Sequence, residues 1–324
     1  MTLAAPFPYF GGKRRAAPLI WAALGDPSGY LEPFAGSAAV LLARPPFRGR
    51  RVETLNDADG WLVNTWRAIR NHPEKVAHHA AGPVTEIDYH ARLAWLQDRR
   101  TDGLVSWLEG DPEACDPKAA GWWLYVMACG IGDPFGPGPW RVVDGRLVDT
   151  RELTHLGNAG QGVNRELTNM GATRGTNGRD LTAYMQALAD RLANVRITCG
   201  DWTRVLTPSA SCAGTGGDGA RAILLDPPYA TSGDLYAHVD TDVAQRVRHW
   251  CATDAPPGTR IVLCGYDDEH DALLAHGWVK RQGKSGGGSG YSTNGANGRR
   301  ERLWLSPACL GVTQSSLFDL EAGA

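Results

Sequence analysis

The residues with the most chemical character stand together at Asp226-Pro227-Pro228-Tyr229. They follow Ala222-Ile223-Leu224-Leu225, an unbroken apolar run that reads as a buried strand. A carboxylate, two ring-stiffened residues and an aromatic ring at such a place have two readings. One is a turn that closes the strand. The other is a site for an amino group on a flat ring, such as N6 of adenine. That nitrogen is a poor nucleophile, because its lone pair is delocalised into the ring. Hydrogen bonds accepted by the Asp226 carboxylate and the Pro227 carbonyl hold it nearer tetrahedral. The prolines stiffen the backbone that presents these acceptors, and Tyr229 offers a face on which a flipped base stacks. Attack on a sulfonium methyl then needs alignment and desolvation, with no metal and no covalent intermediate.

Strands and helices alternate on either side of a long interruption. Tyr30-Leu31-Glu32-Pro33 ends a short apolar run, a helix follows over Ala38 to Ala43, and Val52-Glu53-Thr54-Leu55 is a second strand ending at Asn56-Asp57. A helix runs from Trp61 to about Arg70. The alternation returns with a helix at Leu181–Leu192, a strand Val195-Arg196-Ile197-Thr198-Cys199 ending at Gly200-Asp201, a helix at Val239–Cys251, and strands at Arg260–Cys264 and Arg302–Leu305. This pattern predicts an α/β fold with a mostly parallel sheet. In such sheets ligands bind at the carboxyl ends of the strands. Glu32, Asp57, Asp201 and Asp226 all fall there, and carboxylates at those points accept hydrogen bonds from ribose hydroxyls or an adenine amino group.

Between the two halves, residues 74–180 lose the alternation. Helices are expected around Tyr89–Arg100 and Ala119–Cys129, and Trp140–Val148 reads as a hairpin turning at Asp144-Gly145. Leu156 to Arg179 is rich in Gly, Asn and Arg without apolar periodicity, so that it is either functional or disordered. The expected organisation is a core over 1–73 and 181–310, a mainly helical insertion over 74–180, and a flexible tail over 311–324.

Bulk properties exclude some classes. The chain has 324 residues, 43% of them hydrophobic, enough for a sizeable core. No apolar run approaches the roughly 20 residues of a membrane span. Met1 to Tyr9 lacks the pattern of a secretory signal, and the seven cysteines are scattered, without CxxC. Reduced thiols in a cytoplasmic protein, with no metal site and no disulfides, are the expectation. The net charge of −2 argues against a strongly basic nucleic-acid binder but leaves local positive surface open. Basic clusters occur at Lys13-Arg14-Arg15, Arg48-Gly49-Arg50-Arg51 and from Lys280 through Arg302, each readable as a solvated face.

Pro8-Tyr9-Phe10-Gly11-Gly12-Lys13, Leu31-Glu32-Pro33-Phe34-Ala35-Gly36-Ser37, Leu55-Asn56-Asp57, Cys199-Gly200-Asp201-Trp202 and Asp226-Pro227-Pro228-Tyr229 occur in one order. Together they resemble the Dam-like (D12 class) adenine-N6 DNA methyltransferases, especially phage versions. The resemblance spans about two thirds of the chain. It implies a Rossmann-like sheet dependent on S-adenosylmethionine, with the insertion as target-recognition domain and double-stranded DNA as partner. Tyr9 and Lys13 would close over the cofactor, Glu32, Pro33, Phe34 and Gly36 would surround its methionine part, and Asp57 would hold it. Asp201 would lie near its adenine, and Asp226 between cofactor and target base. One departure is Ala38, where the family often has a second glycine. A negative φ would tolerate the methyl group and a positive one would put cofactor binding in doubt. Tolerance is expected, alanine being the smallest substitute.

Arg141 and Arg146 on the hairpin are candidates for base or phosphate contact. Arg165, with Asn158, Gln161, Asn164 and Arg174, sits in the glycine-rich stretch that could order on DNA, and Arg299-Arg300 could clamp phosphates. The tail Gln314-Ser315-Ser316-Leu317-Phe318 resembles peptides that bind the bacterial sliding clamp, through Gln314, Leu317 and Phe318. Competing readings are methylation of cytosine N4, of RNA or of glutamine, and a DNA-binding protein without catalysis. Asp226 favours adenine over cytosine N4 by family habit, and intact Asp226 and Tyr229 argue against a silent protein.

Overall fold

Alternating strands and helices do form the expected α/β layer. A computed structural model describes residues 3–9, 12–99, 103–130, 135, 140–143, 146–149, 181–207, 218–228, 242–283 and 300–309. The chain divides into two compact units, one of residues 1–4, 9–59 and 194–324, the other of 5–8 and 60–193.

The first unit is built on a seven-stranded sheet. Its strands are β1 (Gly29–Glu32), β2 (Val52–Asp57), β5 (Val195–Cys199), β6 (Arg221–Leu225), β7 (Arg260–Tyr266), β8 (Val279–Gln282) and β9 (Glu301–Leu305), in the order β5-β2-β1-β6-β7-β9-β8. The five strands from β5 to β7 are parallel, while β9 runs antiparallel to both β7 and β8. This is the Rossmann-like methyltransferase sheet that the resemblance implies. The edge strand β8 escaped the sequence reading, which took Lys280 and Arg281 as part of a basic cluster.

Successive residues of a strand face opposite ways. Leu31 therefore joins a core with Ile223, Leu225, Leu263, Trp304 and Val247 of α9 (Val243–Thr253), while Tyr30 packs against Trp21 of α1 (Ala17–Leu24), ring centroids 4.6 Å apart. Helices thus cover both faces, and the sheet must bind at an end. The chain leaves β1 towards β2 and later returns to β6 on its other side, which makes the β1/β6 boundary the switch point where such sheets open a crevice.

Ala38 corrects an expectation. Its φ is +48°, in the left-handed region, immediately before α2 (Ala39–Leu42). The position has the conformation a glycine takes, and the Ala38 methyl group is held there fully buried. The backbone accepts it at a cost of about 1–2 kcal/mol.

The second unit is helical, with α3 (Gly60–Asn71), α4 (Pro73–Ala80), α5 (Glu86–Arg99), α6 (Leu104–Gly110), α7 (Pro117–Cys129), α8 (Leu181–Leu192) and a hairpin of β3 (Trp140–Val143) and β4 (Arg146–Asp149). Asp116 caps α7 by accepting from the Lys118 and Ala119 amides, and Asn64 of α3 exchanges hydrogen bonds with the Asp116 backbone. At Gly121 a side chain would collide with the α4 backbone, 2.8 Å from the Val76 oxygen, so glycine sets the close approach of α4 and α7. The sequence reading missed α4 and α6, both short. It also cut the insertion at 74–180, whereas α3 and α8 here pack with the helical unit. The hairpin register, Val143 opposite Arg146, is as expected, with its turn Asp144-Gly145 outside the described residues.

Candidate functional site

Parallel register brings the expected residues to one edge of the sheet. Glu32 ends β1 opposite Leu55, Asp57 ends β2 opposite Cys199, and Asp226 follows Leu225, which pairs with Leu263. Asp201 follows β5. The four acidic residues foreseen at strand ends therefore stand along the carboxyl edge in the order Asp201, Asp57, Glu32, Asp226.

Hydrogen bonds lace the β5-β2-β1 side. The buried Asn56 amide donates to the carbonyls of Pro33, at 3.1 Å, and Gly200, at 2.9 Å, and accepts from the Thr198 hydroxyl. One side chain thus joins the loops after β1 and β5. Asp57 accepts from the Gly36 amide through Oδ2 and from the Asp59 amide through Oδ1. Its seclusion pushes the carboxyl up to about 6. Glu32 Oε1 accepts from the Tyr30 hydroxyl and the Leu41 amide, both at 2.7 Å, and so supplies α2 with the cap that Ala38 has no side-chain oxygen to provide. Burial pushes Glu32 up to about 8, against the pull of those two bonds. Gly36 has φ +46°, and a side chain there would meet the Tyr9 ring at 2.6 Å. Only glycine fits that turn and its close neighbour.

The β6-β7-β9 side is held by charge. Lys13, read from sequence as part of a basic cluster, is buried. Its Nζ lies 2.9 Å from Asp226 Oδ2 and 3.0 Å from Glu301 Oε1. Burial alone would lower the lysine; the two carboxylates outweigh it and hold the ammonium well above its usual value. Arg51 of the second basic cluster is likewise buried, paired with Asp26 at 2.7 Å. Arg300 is half-exposed and paired with Asp267 at 2.6 Å.

Asp201 is exposed and caps the short 3-10 helix Trp202–Val205 by accepting from the Thr203 amide. Trp202 stacks near Phe34, centroids 5.9 Å apart, and its buried indole N–H has no hydrogen-bond partner among the described residues. A cleft of about 610 Å3 opens here, lined by Trp202, Thr203, Asp242, Gln245, Arg246 and His249 among others; neither Lys13 nor Asp226 lines it.

This edge suits an adenosine carrying a cationic group. It offers acceptors for hydroxyls and amines, a glycine turn under an aromatic ring, a buried donor without a partner among the described residues, and a lysine paired with two carboxylates. Among the described residues no group of His, Cys, Asp and Glu is arranged to hold a metal ion, and no helix is long and apolar enough to cross a membrane. Pro227 and Pro228 are placed after β6, with Pro227 buried. Tyr229, Arg165, Arg299, the glycine-rich stretch, the tail with Gln314, Leu317 and Phe318, and the side chains of Arg141 and Arg146 lie outside the described residues. Sequence reasoning missed Glu301, whose only signal was an acidic residue inside Arg299-Arg300-Glu301-Arg302, directly before an apolar strand.

Residues 9–86 match the family profile of the D12 class N6 adenine-specific DNA methyltransferases. The match takes in Tyr9, Lys13, Glu32, Gly36 and Asp57, while Asp201, Asp226 and Glu301 lie beyond it. No curated protein matches the chain.

Proposed function

We propose that this chain, an adenine-N6 DNA methyltransferase by its D12 class segment, methylates specific sites by flipping the target adenine and transferring the methyl group directly in line. S-adenosylmethionine, when bound, supplies a methyl group on a positively charged sulfur. The Asp226 carboxylate accepts one N6 hydrogen bond and the Pro227 carbonyl the other, which localises the nitrogen lone pair. Pro227 and Pro228 keep these acceptors rigid, and Tyr229 stacks on the base. Lys13 fixes the Asp226 carboxylate through their ion pair. Tyr9, Pro33, Phe34, Gly36 and Asp57 hold the donor, Glu32 ties the loop around it, and Asp201 with Trp202 takes its adenosine end.

The single observation that carries this reading is the Lys13–Asp226 ion pair at the switch point of the sheet, which joins the first motif of the matched segment to the tetrapeptide outside it. On the DNA side, the helical unit serves target recognition, with Arg141 and Arg146 of the hairpin, Arg165, Arg299 and Arg300 meeting bases or phosphates. The tail binds the sliding clamp through Gln314, Leu317 and Phe318; a pull-down unchanged by deletion of residues 311–324 would remove that assignment. The main test is expression in a methylation-deficient bacterium with single-molecule sequencing of its DNA. Methylated adenine in a fixed sequence is expected from the wild type and none from Asp226→Ala; methylated cytosine, or unmodified DNA from folded wild-type protein, overturns the reading.

A further inference from the structure

Two stripes of the helical unit alternate cations with aromatic rings. On α5, Arg92, Trp95 and Arg99 stand at helical spacing, and on α7, Lys118, Trp122 and Tyr125 do the same, so that each set shares one helix face. The two faces meet. Trp95 lies edge-on to Trp122, ring centroids 4.9 Å apart. The Arg99 guanidinium carbon sits 4.3 Å from the Trp95 centroid, and Lys118 Nζ lies between the indoles, 4.9 Å from Trp95 and 4.4 Å from Trp122. The Arg92 guanidinium carbon is 3.7 Å from the Tyr125 centroid.

Stacking on a ring places a cation without neutralising it. Among the described residues the one ion pair of these three cations is Arg99 with Asp116, at 3.8 Å, and the other Asp116 oxygen caps α7. Arg92 also keeps its Nη1 out of water with no hydrogen-bond partner among the described residues. A cation partly withdrawn from water is costly without a counter-charge, and an external anion would supply one. Burial first, then neighbouring charges that include Lys118 and Arg92, hold the nearby His79 below its usual value. Trp95, Trp122 and Lys118 are half-exposed and Arg99 is exposed, so the row is open to a partner. Arg92 and Arg99 are about 10 Å apart along α5, a span over which a DNA duplex presents several phosphates.

We propose that this α5–α7 face binds the phosphate backbone of duplex DNA, with Arg92, Arg99 and Lys118 as its cations and the two indoles holding them in a row. It adds a sequence-independent contact to those assigned to the hairpin, and it rests on the DNA methyltransferase reading above.

The salt dependence of binding to a mixed-sequence DNA duplex tests it, measured by fluorescence anisotropy with the full chain. Arg99→Gln combined with Lys118→Met removes two charges and keeps an apolar stem on the indoles. Affinity at low salt is expected to fall about tenfold or more, and the slope of log affinity against log salt to shrink by about 2, while S-adenosylmethionine binds as before. A slope equal to the wild type overturns the proposal and leaves the stacking as glue between two helices. Arg99→Lys combined with Lys118→Arg keeps both charges and should keep the wild-type slope even if the first variant does not fold; a smaller slope there also overturns it. Polyglutamate that displaces the duplex as well as unlabelled DNA does would overturn it in favour of an acidic protein partner. Wild-type protein that binds no duplex fails the DNA methyltransferase reading itself, which separates the two failures.

Discussion

The two sides of the site are held together by different physics. On the β5-β2-β1 side Asn56, Asp57 and Glu32 tie loop to loop through hydrogen bonds, mostly to backbone groups. On the β6-β7-β9 side one buried lysine holds two carboxylates. Bonds to backbone fix the shape of a loop and are indifferent to the charge of what binds. A lysine shared between carboxylates sets a local potential, to which the methyl transfer proposed above would respond. The first side is thus suited to holding a ligand's shape and the second to the chemical step.

The largest expected effect breaks the charged side. Asp226→Asn retains size but loses the carboxylate, and methyl transfer to DNA is expected to fall about a thousandfold or more, with the thermal midpoint little changed. Substantial residual transfer, measured by incorporation of labelled methyl groups, would show that the ion pair is structural only. Next is Asn56→Ala on the other side. It leaves the Pro33 and Gly200 carbonyls without their buried donor, and a loss of about 2–4 kcal/mol in unfolding free energy is expected. The comparison is sharpened if cofactor affinity falls along with stability, and is broken if Asn56→Ala leaves denaturant unfolding as it was.

The two sides were also unequally legible in sequence. The strand-end carboxylates were readable because β-α alternation fixes where strands stop, and parallel register aligns those stops. All the strands of the parallel core were foreseen, and so was the hairpin. Glu301 was not, because it comes from an antiparallel strand far along the chain, and no local pattern says which lysine it will meet. Composition alone reads Lys13 as a member of a basic cluster with Arg14 and Arg15, both of which are exposed, and only the family resemblance places it at the site. Burial of a single charged side chain depends on partners 213 and 288 residues away, which spacing does not encode. The boundary of the helical unit was misplaced for a related reason: α3 has an apolar face like any helix flanking a sheet, and only packing shows that it belongs with α4 and α7.

A pH experiment sharpens the contrast further. Glu32 sits at about 8 when folded against 4.5 for an ordinary glutamate. Its folded value is raised, so the stability it contributes is fully present below 4.5 and is lost as the pH rises through about 8. Glu32→Gln keeps an acceptor for Tyr30 and Leu41 without this titration. Relative to the variant, the wild type is expected to lose about 1 kcal/mol per pH unit across that window. Parallel stability curves from denaturant unfolding at pH 5 to 8 would show that Glu32 is ionised throughout.

The smallest expected effect concerns Ala38, where the hydrogen-bonded side carries strain. Two terms oppose each other in Ala38→Gly. Relief of the left-handed alanine returns about 1–2 kcal/mol, while the extra freedom of glycine in the unfolded chain takes back about 0.5–1 kcal/mol. A net gain of about 0.5 kcal/mol is expected, seen as a slight rise in the denaturation midpoint. The methyl group is fully buried, so its removal is expected to loosen the turn that presents Gly36. Stability and cofactor affinity are therefore expected to move in opposite directions, the first up and the second down. A rise in both would mean that the strain at Ala38 serves nothing on the binding side.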